Sequence, residues 1–330
     1  MPKVVVRVFL LIASVAFLAL PFINSPVLND LTFRICLLIM VAISWNLMAN
    51  AGLISLGHSA FWGVGCYATM FAANLFALPL IIGLLFALVA GALIGLIFTL
   101  LTARLRGFFF AICTLGLSEG LRVTSLMLPD LTGGAVGMFL NQPIPRLEVF
   151  VLAAVGAFLC IVFSAFLTQT RFHFACRGMR NHEGAAQMLG VDPRPYRLAV
   201  VGLSAAMTSY AGGLSAIYGA YIDPSIAFDL RVTVQSQIAP IIGGMYTVAG
   251  PIIGAFVIVV LADQTRVLFG SSEGISQLIF GIILVLAILF MPKGVVGLWE
   301  RWTSRRVAGS NTPIQHPLVH PKVTTAERTP

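Results

Sequence analysis

The sequence predicts an all-α, polytopic membrane protein with about ten transmembrane helices. Hydrophobic residues make up 58% of its 330 residues and charged residues only 10%, a composition unlike that of a soluble domain. Apolar runs of about 17–25 residues, the length that crosses a hydrocarbon core, follow one another along most of the chain. These runs are continuous rather than alternating, which excludes a membrane β-barrel.

Ten apolar segments, separated by Gly, Pro and polar breaks, are the predicted transmembrane helices. The first lies in "MPKVVVRVFLLIASVAFLALPF". It has no small-residue cleavage site after it, so we expect an uncleaved span rather than a signal peptide. Tight Gly and Pro breaks near residues 78 and 250 divide longer apolar stretches. The predicted spans lie near residues 8–24, 33–50, 54–77, 79–101, 107–128, 149–168, 198–222, 232–249, 251–269 and 276–291.

The basic residues predict the orientation of these spans. Ten spans place both termini on one side, and most of the Lys and Arg residues fall on that side, including those of the 102–106 turn and the 169–197 segment. Only Arg34, Arg146 and Arg231 lie at or near the other surface. Because cytoplasmic loops carry the excess of Lys and Arg, we expect both termini, the 102–106 turn and the 169–197 segment to be cytoplasmic. The net charge of +8 is then an orientation signal and does not indicate nucleic-acid binding.

The chain is expected to form one membrane domain with a polar tail. Residues 1–303 form the transmembrane domain, with a cytoplasmic element at about 169–197, and residues 304–330 form a polar, Pro-containing tail that we expect to be disordered. The loops on the opposite face are too short for a separate outer domain. Four of the five cysteines fall in apolar runs, where a small buried hydrophobe is the expected role.

Catalytic and metal-binding motifs are largely missing. The sequence has no G-x-x-x-x-G-K-[ST] phosphate loop and no acidic cluster for a metal, so uphill transport would draw on an ion gradient or on a partner. "GLSEG" at 116–120 fits G-x-S-x-G, but that motif works on a strand-to-helix elbow. An intramembrane protease with Ser118 as nucleophile and His58 as base is therefore an alternative with little support.

Besides Arg34, at the edge of its span, four charged residues fall within predicted spans, where charges are expensive and functional by default. Glu119 and Arg122 lie three residues apart, as do Asp263 and Arg266. Each pair can neutralise itself on one helix face, and we expect intramembrane ion pairs. No clearly unpaired carboxylate is left for proton coupling, which argues against an ion-driven carrier.

The polar stretch from Gly178 to Pro195 predicts short amphipathic helices at the cytoplasmic surface. Glu183, Ala186 and Gly190 recur at helical spacing, and "DP" at 192–193 closes the run. Small side chains at 184–186 would let another protein approach closely, while Arg180 and Glu183 offer charge-assisted contacts. The pattern favours a docking element over a plain connector.

Several stretches in order resemble the permease subunits of branched-chain amino acid ABC importers of the LivM type. They are "GLISLGHSAFWGVGCYA" (52–68), "RLRGFFFAICTLGLSEGLR" (104–122) with "LTGGAVG" (131–137), "RNHEGAAQMLGVDPRPYRL" (180–198), "GGLSAIYGAYIDP" (212–224) and "FMPKGVVGLW" (290–299). The resemblance covers about residues 30–300. In ABC importers a Glu-Ala-Ala…Gly loop couples to the ATPase. The matching residues here are Glu183, Ala185, Ala186 and Gly190, although Gly184 interrupts the strict motif. Together with Arg180 they are the expected ATPase-coupling residues, and the resemblance implies a location in a bacterial inner membrane.

The resemblance implies the rest of a transport complex. Its expected members are a second, LivH-like permease, two cytoplasmic ABC ATPases that hold the ATP and Mg, and a periplasmic binding protein that delivers a branched-chain or related neutral amino acid. This chain itself would bind no cofactor. Relatives also carry urea or short amides, so the cargo stays open. The alternative is a secondary carrier for a small polar solute.

The largest polar surfaces opposite the basic side are the expected dock for the binding protein. The loop 129–148 contains Asp130, and the loop 223–230 contains Asp223 and Asp229. Charge of this kind commonly steers a docking protein. We expect charge reversal in these loops to lower transport at limiting substrate.

Overall fold

The structure is a computed structural model that describes residues 26–76, 78–105, 107–142 and 144–269, with residues 278, 279, 281, 282, 285, 289 and 294–297 beyond them. The described chain is almost entirely helical. Its elements are, in order, α1 (Pro26–Asn50), α2 (His58–Phe76), α3 (Leu80–Leu101), α4 (Phe108–Met127), α5 (Pro129–Thr132), β1 (Met138–Phe139), α6 (Arg146–Leu167), α7 (Arg171–Asn181), α8 (Glu183–Met188), α9 (Pro193–Gly219), β2 (Tyr221–Ile222), α10 (Pro224–Ala227), α11 (Leu230–Gly243) and α12 (Ala249–Phe269).

Six of these helices are long and apolar enough to cross a membrane. They comprise nearly all of α1 and α12 together with the whole of α3, α4, α6 and α9. The predicted class, an all-α polytopic membrane protein, is confirmed. The predicted count of ten is not established. The span at 8–24 and most of the span at 276–291 lie outside the described residues, and α2 and α11, in the predicted spans 54–77 and 232–249, are not among the six.

The span predicted at 232–249 is corrected to a short helix. α11 has only 14 residues and is about 21 Å long at 1.5 Å per residue, less than the roughly 30 Å of a hydrocarbon core. Gly244, with a φ of +131°, ends it. Two bonds to Asn46 of α1 then fix the loop: Asn46 Oδ1 accepts from Tyr246 N (2.9 Å) and Nδ2 donates to Thr247 O (3.0 Å).

The start of α9 also differs from the predicted start of a span at 198. The helix begins at Pro193, where the fixed φ of proline suits the first helical position. Asp192 is its N-cap and accepts a hydrogen bond from the Arg194 amide at 3.1 Å. The Asp-Pro pair therefore starts α9 as well as closing the segment before it.

The bundle is built around α9, which packs on α2 and α3. Small residues permit the close approach: a Cβ added at Gly65 of α2 or at Gly91 of α3 would collide with Ser209 of α9. Helices in lipid associate through such small-residue contacts. α1 is buried along most of its length against α9, α6 and α12, whereas most of α4 is exposed.

Two small folded regions lie at opposite ends of α9. At its start, α7 and α8 form what we call the α7–α8 element. At its end, β1 and β2 form an antiparallel ribbon in which Met138 faces Ile222 and Phe139 faces Tyr221. This ribbon, with α5 and α10, is called the ribbon end. It joins the two loops that the sequence suggests as one docking surface.

Candidate functional site

The α7–α8 element is part of the folded core. α7 buries Cys176 and Met179, and α8 buries Ala186. These side chains share one hydrophobic cluster with Met48 of α1 and Val200 of α9. Burial raises the pKa of the Cys176 thiol to about 12, so this thiol is protonated and unreactive at neutral pH. The segment is thus a fixed surface at the end of the bundle.

A glycine turn ends α8. Gly190 has a φ of +87°, its N–H donates to the Gln187 carbonyl at 2.9 Å, and the Val191 N–H donates to the Ala186 carbonyl at 3.0 Å. This pair of bonds is a Schellman motif, in which a left-handed residue, usually glycine, follows the helix. Val191 packs on the cluster that contains Ala186. The turn therefore explains why glycine occupies position 190.

Glu183 and Arg197 form an ion pair between α8 and α9. Arg197 Nη2 lies 3.1 and 3.0 Å from the two carboxylate oxygens of Glu183. The two side chains are only 15% and 17% exposed. Arg197 Nη1 also reaches the Ala103 carbonyl at 3.4 Å. One arginine therefore connects α8, α9 and the turn after α3.

Arg180 connects α7 to the loop between α11 and α12. Its guanidinium carbon lies 3.8 Å from the centroid of the Tyr246 ring, in cation–π geometry. Tyr246 has a φ of +66° and is held by Asn46 of α1. The backbone of Arg180 passes close to Gly52, where a Cβ would lie 3.2 Å from the Arg180 Cα. Movement of α7 would therefore act on the turn after α1, at Gly52, and on the loop that leads into α12, at Tyr246.

The outward surface of α8 differs from the expected one. Arg180 and Glu183 both have partners within the chain, rather than pointing outward as the sequence suggested. The residues that α8 and its turn expose are mostly small or apolar: Met188 is 90% and Leu189 is 84% exposed, with Gly184, Ala185, Gly190 and the polar Gln187 beside them. Two large apolar side chains are therefore exposed side by side at the end of α8.

At the ribbon end, two of the three predicted docking carboxylates are helix caps. Asp223 Oδ1 accepts hydrogen bonds from the Ser225 and Ile226 amides at 2.6 and 2.9 Å, at the start of α10. Asp229 Oδ1 accepts from the Arg231 amide at 2.8 Å and caps α11. Asp130, in the first turn of α5, is exposed. Reversing the charge of either capping residue would therefore disturb the fold as well as any docking.

The two predicted intramembrane pairs have different structures. Arg122 Nε lies 2.9 Å from both carboxylate oxygens of Glu119 on the exposed side of α4. Asp263 and Arg266, in contrast, form no ion pair with each other among the described residues. Both line a cavity between α1, α2, α11 and α12.

The residues of the alternative protease site have other partners. Ser118 Oγ lies 2.7 Å from Ser59 Oγ, and Ser59 Oγ in turn accepts from Thr233 Oγ1 at 3.0 Å. His58 Nε2 lies 3.2 Å from Ser204 Oγ. No hydrogen bond joins Ser118 to His58 in the described part of the chain. These hydroxyls connect helices within the buried core, as polar side chains commonly do in membranes.

Three residues of this site were not singled out by their sequence context: Arg197, Tyr246 and Asn46. Their contacts join positions 14, 66 and 200 residues apart. No local motif marks such pairs. The Asp caps, in contrast, carry a recognisable signal, since each stands directly before a helix start.

The fold and the site together define a multi-pass helical membrane protein with a packed α7–α8 element at one end. Comparison with known proteins identifies the class further. The profile of the family described as "Branched-chain amino acid transport system / permease component" matches residues 27–288. The chain belongs to this family.

Its relatives include named transport proteins. The chain is 25% identical to the high-affinity branched-chain amino acid transport system permease protein LivM of Escherichia coli (strain K12), over 88% of this chain and 75% of LivM. It is 24% identical to LivM of Salmonella typhimurium over the same shares. The probable branched-chain amino acid transport permease protein LivH of Methanocaldococcus jannaschii is 27% identical over 46% of this chain and 50% of LivH. No solved structure matches the chain significantly.

Proposed function

We propose that this chain is a permease subunit of an ATP-driven importer for branched-chain or related neutral amino acids. The observation that carries the proposal is the exposed α8 surface, fixed to the bundle by the Glu183–Arg197 pair. The names of the LivM and LivH relatives support the substrate class. In this proposal ATP and Mg are held by two partner ATPases, and a second, LivH-like permease completes the path.

The proposed mechanism is alternating access driven from the α7–α8 element. The ATPase dimer closes on ATP and moves α8, and the move passes through Arg197 to α9 and through Arg180 and Tyr246 to the α11–α12 loop. A ligand shifts such an equilibrium only through contacts that differ between the states. Contacts that span three helices are suited to this role because they cannot stay unchanged when α8 moves.

The proposal predicts that acidic residues on the α8 surface prevent ATPase binding. With Met188→Asp and Leu189→Asp together, we expect the purified permease pair to retain less than about a tenth of the bound ATPase, because two apolar contacts are replaced by charges that must be desolvated. Co-purification from membranes measures this. The control is Val136→Asp, which puts one such charge at a residue 77% exposed at the ribbon end and should leave ATPase binding unchanged.

A secondary carrier gives the opposite outcome. It needs no ATPase, so uptake would tolerate the α8 changes and no ATPase would co-purify even with the unaltered chain. Equal ATPase binding by the variant and the control would show that the α8 surface is not the docking site.

The ribbon end is proposed to face the periplasm and receive the binding protein. Its apolar residues Val136 and Phe139 are exposed next to the Asp130 carboxylate, and the excess of basic residues lies toward the other end. A photo-crosslinker on a cysteine at Val136, attached from outside intact cells, should capture added cognate binding protein. The chain used has Cys113→Ser, since the other native cysteines are buried.

A cysteine at Gln187 is the control for this labelling. It is exposed on α8 and should react only after the membrane is opened. Labelling of Gln187→Cys from outside would reverse the proposed orientation. Labelled Val136→Cys that captures no binding protein would remove the docking assignment.

A further inference from the structure

A cavity of about 230 Å³ lies among α1, α2, α11 and α12, in the half of the bundle nearer the ribbon end. At about 30 Å³ for each water of liquid volume, it has room for about eight waters. Such a cavity in the wall of a membrane bundle is a candidate binding site.

The cavity combines both signs of charge with an amide. Arg34, Asp263 and Arg266 line it together with Gln235. Arg34 is balanced by Asp30, whose carboxylate lies 2.6 Å away and also accepts a hydrogen bond from Tyr218 at 3.1 Å. The charges of Asp263 and Arg266 sum to zero, but the two side chains form no ion pair with each other in the described part of the chain. The cavity therefore has a carboxylate and guanidinium groups available to a ligand.

The remaining walls are apolar. The apolar lining residues are Leu37, Leu38 and Val41 of α1, Trp62 of α2, Val232 of α11, and Ile258, Val259 and Ala262 of α12. Charged residues within membrane spans are costly and mark ligand or ion paths. A lining that is aliphatic on one part and carries a carboxylate and guanidiniums on another matches a zwitterion with an aliphatic side chain.

We propose that this cavity binds the transported neutral amino acid during its passage. Asp263 accepts hydrogen bonds from the α-ammonium, Arg266 and Arg34 donate to the α-carboxylate, and the branched side chain lies against Leu38 and Ile258. The inference rests on the proposed transport function. It goes beyond that function because it assigns recognition of the α-ammonium and the α-carboxylate of the amino acid to this chain.

The position of the cavity connects it to the α7–α8 element. α11 and α12 both line it, and the loop that joins them holds Tyr246 under the Arg180 guanidinium. α1 lines it as well, and Asn46 of α1 binds the same loop. A shift of α7 would thus move three of the four helices that surround the ligand.

Direct binding of tritiated leucine tests the assignment. The permease pair is purified without the binding protein, and leucine binding is measured for the unaltered chain, Asp263→Asn and Arg266→Gln. We expect each variant to bind about tenfold or more weakly, as when one partner of a desolvated charge-assisted pair is removed. Gln264→Ala is the control, since it is exposed on the same helix and outside the lining.

A change of volume gives a second, independent test. Ala262 lines the cavity and is half-buried, and Ala262→Leu reduces the space without changing the charge. Competition against tritiated leucine should show that leucine and isoleucine lose affinity in this variant more than alanine does. Membrane amounts and ATPase co-purification, measured on every variant, show whether it has folded and assembled.

The outcomes separate this inference from the transport proposal. If the complete complex takes up leucine but the Asp263, Arg266 and Ala262 variants bind it like the unaltered chain, the cavity assignment is wrong and the transport proposal stands. Uptake by the complex without detectable leucine binding to the permease pair also overturns the assignment. If the complete complex shows no ATP-driven uptake of any neutral amino acid, the transport proposal itself fails.

Discussion

Replacing Glu183 with alanine should uncouple ATP hydrolysis from uptake while the permease still reaches the membrane. The carboxylate sits 3.0 Å from Arg197 at 17% exposure, so its loss leaves a largely buried guanidinium without that partner. The local cost is on the order of 1–3 kcal/mol, reduced in part by the remaining solvent exposure. This is enough to detach α8 from α9 but small against the packing of the membrane helices. Uptake by the reconstituted complex should fall about tenfold or more.

A double-mutant cycle decides whether Glu183 acts through Arg197 or on the ATPase directly. If the pair is the functional unit, Glu183→Ala, Arg197→Ala and the double variant should lower uptake to the same extent. If Glu183 contacts the ATPase, the two losses should be independent and add in the double variant. Additive losses would refute the internal role.

The exposed pair of Arg231 and Asp229 supplies a control for this cycle. Its closest nitrogen–oxygen distance is 3.9 Å, and the Arg231 side chain is 70% exposed. Surface pairs of this kind contribute about 0–1 kcal/mol. Arg231→Ala should therefore leave uptake and the amount of protein within error of the unaltered chain.

The fold class was accessible from sequence because lipid imposes a simple constraint. Backbone groups in hydrocarbon must bond within a helix, so long apolar runs such as 79–101 translate into helices with nearly the predicted bounds. α11 is an exception, because the helix is shorter than its apolar run. Its apolar run continues past Gly244, but a glycine with positive φ and the clamp from Asn46 end the helix. That clamp joins residues about 200 positions apart and has no local pattern.

In the α7–α8 element, too, the local features could be predicted from sequence and the long-range contacts could not. Its short helices and terminal glycine follow from spacing and composition, because capping and turn formation are local. The partners of Arg180 and Glu183 do not follow from spacing or composition. A charged side chain in a polar segment has the same sequence pattern whether it faces a partner protein or an arginine on the next helix. Only the placement of Arg197 and Tyr246 separates the two.

Position 190 is expected to separate two physical roles of a glycine. A bulky residue there would crowd an approaching ATPase, and any non-glycine residue would also strain the turn. Within the chain there is open space, since a Cβ at Gly190 meets nothing within 4 Å. The φ of +87° remains unfavourable for an L-residue by roughly 1–2 kcal/mol, and asparagine is the side chain that tolerates it best.

Gly190→Asn and Gly190→Val therefore form the decisive comparison. If the Schellman turn is what matters, Val should lower uptake and ATPase co-purification by about tenfold, because a β-branched residue resists the left-handed conformation. Asn should retain most of both. If contact with the ATPase surface is what matters, the two side chains are similarly bulky and should fail alike. Uptake, ATPase co-purification and the amount of permease in the membrane, measured together for both variants, distinguish these cases. Equal failure of Asn and Val at normal membrane levels would mean that the partner surface packs against Gly190 itself, and the turn would then be only a secondary reason for glycine at this position.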